Sequence, residues 1–197
     1  MRVVQPSSPE QKNDHPFPSE YTLVQDFGLL TDAEREVVAD YTLGSYLEIN
    51  EALRGRRAMT DETQEKVDLL RSALSKFPLE STWRVSRETE LADFGLEPGQ
   101  TPASLVGEVV QELGFLSVSG LRRPPRIVER KVPVWLDLYV TAGVPALYLS
   151  EALTSASDQE REMLIVDARE VFVTGVSWDT ENELWVLQGL LTSEDGE

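Results

Sequence analysis

Several residue types and motifs that enzymes commonly use are missing or scarce in this sequence. There is no cysteine, which excludes disulfides, thiolate zinc sites and cysteine nucleophiles. The only histidine, His15, lies in a polar, proline-rich N-terminal stretch, so neither a Ser-His-Asp triad nor a histidine metal site is expected. Walker-type loops and the Rossmann glycine motif are absent too, which removes the usual signs of NTP hydrolysis and hydride transfer. Any catalysis must rest on carboxylates, hydroxyls, Arg, Lys or a cofactor.

Positive charge is also scarce. The chain has 18 Lys and Arg against 35 Asp and Glu, a net charge of −17 that repels a phosphate backbone, so tight binding of duplex nucleic acid is not expected. The negative electrostatic field suits a basic, arginine-bearing protein surface better as a partner. The alternative is that the acidic residues serve only solubility. No apolar run of about 18 residues exists, and the N-terminus lacks the order of a signal peptide. We expect a soluble protein with no membrane partner.

The length of 197 residues suits one core, and we predict a flexible arm at 1–28 and a single domain at 29–197. Thr31 and Glu34 form a capping box that predicts the start of a helix, and residues 45–48 repeat it. Apolar residues at helical spacing predict a third helix over 60–77.

Beyond residue 78 the sequence changes to short β-like segments. The clearest strand is 132–140, in which apolar residues alternate with others. The other predicted strands are 81–87, 114–119, 146–150, 162–166, 170–176 and 183–191. Helices followed by strands, with little alternation between them, predict an α+β fold.

Three local patterns could carry chemistry, although each has a structural alternative. Glu160 and Glu162 flank Arg161 before an apolar run, so on a strand both carboxylates would face the same side. The alternative is a solvated end of a strand. Arg84 lies within a β-like segment, where its guanidinium could clamp a diphosphate or extend into water. Ser117 and Ser119 share one face of a predicted strand, where hydroxyls are more often structural.

Taken in order, these motifs resemble the ADP-ribosyltransferase family of the Arg-Ser-Glu class, found in bacterial toxins and phages. The resemblance extends over 30–191. It rests on a helical lead-in at 40–54 with the pattern Tyr-Thr, Tyr, Ile-Asn, Leu-Arg, a strand that carries Arg84, a Gly-Phe-x-Ser-x-Ser strand at 114–119, and the Glu160-x-Glu162 loop and strand. It implies two packed antiparallel sheets with N-terminal helices and an NAD⁺ cleft between the sheets.

The resemblance also implies roles for these residues. Arg84 would hold the NAD⁺ phosphates, Ser117 would order the nicotinamide side of the site, and Glu162 would bind the ribose 2′-hydroxyl. Glu160 would orient an acceptor arginine, since members with Glu at this place favour arginine. Ser119 is a further cofactor contact. Arg122 is another candidate for the phosphates, with a solvated loop arginine as the alternative.

The implied activity is transfer of ADP-ribose from NAD⁺, without a metal, to an arginine of a target protein. The implied location is the cytoplasm of a host or target cell, after delivery by a secretion system or a phage. Two departures from the family pattern stand out, because no Gly follows Arg84 and Val118 replaces a Thr. By the resemblance, residues 151–159 would help to choose the acceptor, and they lack the aromatic residue that usually docks it. An NAD⁺ glycohydrolase and a non-catalytic relative that binds a partner or packs in a virion are the alternatives.

Overall fold

The computed structural model describes residues 23–96, 99–121, 131–150, 153 and 161–193. In that part of the chain three α-helices precede eight β-strands, which confirms the predicted α+β fold. The helices are α1 (Asp32–Asp40), α2 (Tyr46–Leu53) and α3 (Asp61–Ser75). The strands are β1 (Trp83–Glu90), β2 (Val109–Glu112), β3 (Leu116–Ser119), β4 (Pro133–Val140), β5 (Ala146–Tyr148), β6 (Glu162–Ile165), β7 (Arg169–Asp179) and β8 (Leu184–Leu191). No helix among these residues has the length and apolar character needed to cross a membrane.

Helices α1 and α3 begin where polar side chains accept bonds from the first backbone N–H groups. Glu34 N donates to Thr31 Oγ1 at 3.3 Å, and Thr31 N donates to Glu34 Oε2 at 2.7 Å, so the predicted capping box is present. Thr60 caps α3 in the same way through the N–H of Thr63. The second predicted box is wrong. Ser45 makes no side-chain capping bond, and its own backbone is helical; a π-helical turn, Tyr41–Ser45, joins α1 to α2 with a kink at Gly44.

The eight strands form one sheet in the order β2-β7-β8-β4-β1-β3-β6-β5. Every neighbouring pair is antiparallel except β4 and β8, which run parallel, so the expectation of purely antiparallel strands is corrected at that pair. Strands β1 and β3 are paired only at Ser86 and Ser119. The sheet therefore consists of two halves, β2-β7-β8-β4-β1 and β3-β6-β5, which meet only at this residue pair. Because the connection is so short, the two halves can pack against each other as two layers.

Two apolar clusters cover the two faces of the β3 half. One cluster, which we call the sheet core, takes side chains from both halves; they include Val85, Leu116, Val118, Leu136, Leu138, Met163, Ile165, Val171 and Val173. The other, the helix core, joins the helices to the opposite face; its members include Val38, Tyr41, Ile49, Leu70, Leu74, Phe115, Leu147 and Leu164. Burying each large side chain of this kind stabilises the fold by roughly 1.5 to 3 kcal/mol.

Two further differences from the sequence predictions concern short segments. Strand β2 was not predicted, because its four residues alternate between half-buried and exposed positions at the edge of the sheet. Within the predicted arm, the structure describes residues 23–28, and these contact the domain. Gln25 Nε2 donates to Ala146 O, and Tyr148 N donates to Gln25 Oε1, both at 2.8 Å, so this amide extends the edge of β5.

Candidate active site

Four polar residues form a row across four neighbouring strands. Asp137 of β4 lies opposite Ser86 of β1, Ser86 lies opposite Ser119 of β3, and Ser119 lies opposite Glu162 of β6. Directly opposite residues in a sheet project from the same face. The row therefore brings together residues that lie far apart in the sequence, at the junction of the two sheet halves.

The candidate residues that the structure describes, Arg84, Ser117, Ser119 and Glu162, project from the face opposite the sheet core. Arg84 alternates with buried Val85, and Glu162 alternates with buried Met163. The resemblance implied a cleft between the two sheets, but that layer is filled by apolar side chains. The candidate site lies instead on the outer face of the junction, where the helix core ends.

Ser117 and Glu162 are joined directly. The Ser117 hydroxyl donates a short hydrogen bond to Glu162 Oε1. Strand β6 begins at Glu162, and the preceding Arg161 has a left-handed backbone with φ of 47°. Its carbonyl accepts a bond of 2.9 Å from Gly120 N, so the turn before Glu162 is attached to the end of β3.

Arg84 is held by a carboxylate that the sequence analysis did not single out. Its Nε and Nη2 donate to the two oxygens of Asp137 at 2.7 and 2.6 Å, a bidentate pair whose side chains are 15% and 12% exposed. The guanidinium also lies 5.6 Å from the centre of the Tyr139 ring. The bond to Asp137 is the main cause that raises the pKa of Arg84, so this side chain keeps its charge.

The Ser119 side chain holds the end of β3. Its hydroxyl accepts a bond of 3.0 Å from Leu121 N, and the opposite Ser86 donates to Leu121 O at 2.5 Å. Ser119 is buried, so within the described residues it orders the chain beyond β3. The predicted cofactor contact by Ser119 remains a prediction.

The helical lead-in motif contributes a buried hydrogen-bonded group beneath β3. Phe115 N donates to Asn50 Oδ1 at 2.9 Å, and Asn50 Nδ2 donates to the Tyr41 hydroxyl at 3.0 Å. Burial raises the pKa of Tyr41 to about 12, although the Asn50 bond and the charge of Arg87 lower it; the charge of Glu162 raises it further. The hydroxyl therefore stays protonated at neutral pH.

Arg54, at the end of the same motif, anchors the turn before β3. Its Nε and Nη2 donate to Glu112 Oε1 at 3.1 and 2.9 Å, and the same oxygen accepts from Gly114 N at 2.8 Å. The motif thus connects α2 to β3 at two points, through Asn50 and through Arg54.

Two predicted site residues, Glu160 and Arg122, lie outside the described residues. One premise about Glu160 is corrected, however. The expectation that Glu160 and Glu162 share a face assumed a continuous strand, but β6 begins at Glu162 and Arg161 is left-handed. The alternation of side chains along a strand therefore does not predict which way the Glu160 carboxylate points.

Asp137 could have been recognised from a local signal. It is the only charged residue in a run of eight that reads Pro-Val-Trp-Leu-Asp-Leu-Tyr-Val, and its alternation with buried Leu136 and Leu138 puts it on the face of Tyr139. Its partner, Arg84, is 53 residues away, and no local pattern specifies that pairing. Among the described residues, no group of three or more acidic or histidine side chains is placed to hold a metal.

Comparison with known proteins agrees with this fold. The family described as ADP-ribosyltransferase exoenzyme matches residues 19–192. Similar solved structures include an ADP-ribosyltransferase from Clostridium botulinum, with TM-score 0.68, 17% identity and coverage of 83% of this chain and 88% of that one. A second is C3stau2 from S. aureus, solved with NAD, which has TM-score 0.70, 19% identity and the same coverage.

A third similar structure is BECa, an ADP-ribosylating toxin of a binary enterotoxin of C. perfringens solved with NADH. It has TM-score 0.71 and 21% identity, and the match covers 83% of this chain and 44% of that one. The sequence matches none of the curated proteins with which it was compared.

The fold of this chain is therefore similar to that of solved ADP-ribosyltransferases, and one of the similar structures, C3stau2, was solved with NAD. Since the family match spans nearly the whole sequence, the chain belongs to the ADP-ribosyltransferase exoenzyme family. It is accordingly a toxin-like ADP-ribosyltransferase that acts on NAD⁺.

Proposed function

We propose that this chain is a mono-ADP-ribosyltransferase of the Arg-Ser-Glu class that modifies arginine on a target protein. The glycosidic bond between nicotinamide and ribose C1′ breaks, and nicotinamide leaves with the electron pair. A guanidinium nitrogen of the target then bonds to C1′ and loses a proton. The observation that carries the proposal concerns Glu162, which lies in the polar row on the outer face of the sheet. Its carboxylate is held by a hydrogen bond from the Ser117 hydroxyl.

Glu162 stabilises the charge that develops as nicotinamide leaves. Loss of the leaving group gives the ribose oxocarbenium character, and a carboxylate placed beside it lowers the energy of that state more than the energy of bound NAD⁺. Ser117 makes the carboxylate effective because a charge that is already oriented need not reorganise during the reaction. Its bond to Glu162 Oε1 provides that orientation.

Arg84 binds the diphosphate of NAD⁺. A guanidinium presents five N–H donors in a planar fork, and in Arg84 two of these are directed at Asp137. The carboxylate and the Tyr139 ring hold the side chain in one orientation before NAD⁺ arrives. Ser119 and Arg122 act at the same cofactor, Ser119 by ordering the segment that leads to Arg122.

Glu160 acts on the acceptor. A protonated guanidinium is a poor nucleophile, so transfer to arginine needs a carboxylate that orients the group and takes its proton. The net charge of −17 supports this choice because it favours approach of an arginine-bearing surface.

The Glu162→Gln variant tests the central role. We expect it to bind NAD⁺ but to release nicotinamide at least about 100-fold more slowly, because a neutral amide does not stabilise the developing cation. The measurement is nicotinamide release from labelled NAD⁺ in the presence of poly-arginine, with Glu170→Gln, an exposed residue of β7, as the matched control. Turnover of Glu162→Gln equal to that of the parent would refute the proposal, and a parent that releases no nicotinamide would indicate a non-catalytic relative.

An NAD⁺ glycohydrolase, in which water replaces arginine, is the second candidate. It is favoured by the absence of an aromatic residue from 151–159, the segment that follows β5 and precedes the Glu160 motif. Glu160→Gln separates the two functions. A transferase should lose modification of arginine while NAD⁺ cleavage by water partly survives, whereas equal loss of both would count against the acceptor role of Glu160.

A further inference from the structure

The side of β3 that faces β1 lacks a continuous strand partner. In an antiparallel strand, the backbone groups of alternate residues point to opposite neighbours. Gly120 N donates towards β6, to Arg161 O, so the odd-numbered Phe115, Ser117 and Ser119 direct their backbone groups towards β1. Only Ser119 meets β1 there, opposite Ser86.

Asn50 supplies the missing partner at Phe115. Its side-chain amide accepts from Phe115 N at 2.9 Å and donates to Phe115 O at 3.4 Å, which are the two bonds that a neighbouring strand would make. Asn50 is 6% exposed and Phe115 is fully buried, so solvent does not satisfy these backbone groups. The amide is held in turn by its bond to Tyr41.

Arg87 supplies a partner at Ser117. Its Nη1 donates to Ser117 O at 2.8 Å. Arg87 lies opposite Leu136 in the sheet, a register that directs its side chain to the side of the sheet core. Burying a guanidinium on this side of the sheet costs free energy unless its N–H donors are bonded. The bond to Ser117 O satisfies one of these donors. Arg87 also lines a cavity of about 30 Å³, together with Asp93 and Glu112.

We propose that Asn50 and Arg87 are positioning residues, whose side chains replace a missing strand along the open edge of β3. They hold the backbone on either side of Leu116 and so fix Ser117, whose hydroxyl orients the Glu162 carboxylate. The inference rests on the proposed role of Glu162. It adds that the orientation of this carboxylate depends on two side chains that lie along the open edge of the strand.

Kinetics of Arg87 variants provide the first test. Arg87→Met keeps the stem of the side chain and loses the donors, and we expect kcat for nicotinamide release to fall about tenfold or more while KM for NAD⁺ changes less than about threefold. Arg87→Lys, which retains a donor, should recover part of kcat. Arg57→Met, on an exposed arginine paired with Glu48, is the matched control. A large rise in KM with kcat unchanged would overturn the proposal, since Arg87 would then bind the cofactor.

A double-mutant cycle tests whether Arg87 acts through Ser117. If it does, Arg87→Met should cost little further kcat in a Ser117→Ala background, because the group that it positions is gone. Independent, multiplicative losses would show that Arg87 acts by another route, and would overturn this part of the proposal.

Hydrogen exchange tests the Asn50 contact without reference to activity. Asn50→Leu should speed exchange of the Phe115 amide about tenfold or more, while Asn50→Asp, which retains the acceptor, should preserve much of its protection. The Leu138 amide in β4 serves as the internal reference for global opening. Unchanged exchange at Phe115 would overturn the inference, whereas a parent protein that releases no nicotinamide would overturn only the proposed function.

Discussion

Individual charges in this site are paired before any ligand binds. Arg84 shares two hydrogen bonds with Asp137, and Glu162 shares one with Ser117. The Asp137 and Glu162 carboxylates therefore keep defined positions, which under the proposed function reduces the reorganisation that NAD⁺ binding and bond cleavage require. The price is a pair of largely buried charges at Arg84 and Asp137 that must remain together.

Arg84→Lys tests the need for the planar fork. Lysine retains the charge but cannot make the bidentate pair with Asp137, so its ammonium should be poorly oriented towards the diphosphate. We expect NAD⁺ to bind about tenfold more weakly, a loss of roughly 1.4 kcal/mol. Isothermal titration with NAD⁺ measures this, with Arg57→Lys as the control. Equal affinities of Arg84→Lys and the parent would remove Arg84 from the phosphate site.

The contact between α2 and the turn before β3 is tightly packed beside the candidate site. Gly114 lies in the turn between β2 and β3 and packs against α2. A Cβ at this position would lie 2.8 Å from Asn50 Oδ1 and 3.3 Å from Arg54 Nη2. Asn50 is buried and bonded to Phe115, so it cannot move aside without releasing that strand.

Gly114→Ala should therefore disturb both stability and activity. We expect the free energy of unfolding to fall by about 1 to 3 kcal/mol, as is usual for overpacking in a tight site. Gly175→Ala is a matched control, because the only atom closer than 3.4 Å to its Cβ is the end of the Gln188 side chain, at 3.1 Å. Urea unfolding of both variants gives the comparison, and equal losses would mean that the Asn50 contact can adapt.

Across the whole molecule, ion pairs connect the helices to each other and to the sheet. Lys76 Nζ at the end of α3 lies 2.5 Å from Glu34 Oε2 in α1, and Arg71 Nη2 of α3 lies 2.5 Å from Asp167 Oδ2, between β6 and β7. The Glu34 side chain is 4% exposed. Burial raises its pKa, but the bonds from Lys76, Thr31 and Ser72 together lower that pKa to about 2.

A lowered carboxyl pKa sets the direction of the pH dependence. The stabilisation by Glu34 is complete above its ordinary pKa of 4.5 and is lost as the pH falls towards 2. We expect Glu34→Gln to lose roughly 3 kcal/mol at pH 7 and to show a shallower decline of stability between pH 4.5 and 2. Unfolding in urea over that range measures it, with exposed Glu36→Gln as the control. Parallel pH profiles for Glu34→Gln and the parent would contradict the assignment.

Local patterns in the sequence determine most of the secondary structure and the order of the candidate residues. The Thr31 capping box begins α1, and alternating apolar residues mark β4, because capping and periodicity act over a few neighbouring residues. Arg84, Ser117 and Glu162 became candidates by a different route, the resemblance to a known family that short motifs in a particular order carry.

Partners distant in the sequence emerge only when the chain is folded. Ser117 and Glu162 are 45 residues apart, and Arg84 and Asp137 are 53 apart. Their contact depends on the order β4, β1, β3, β6, which no local pattern specifies. The parallel pairing of β4 with β8 and the left-handed backbone at Arg161 are likewise not marked by any local pattern in the sequence. Strand order and register follow from which apolar faces bury each other, so they require the complete core.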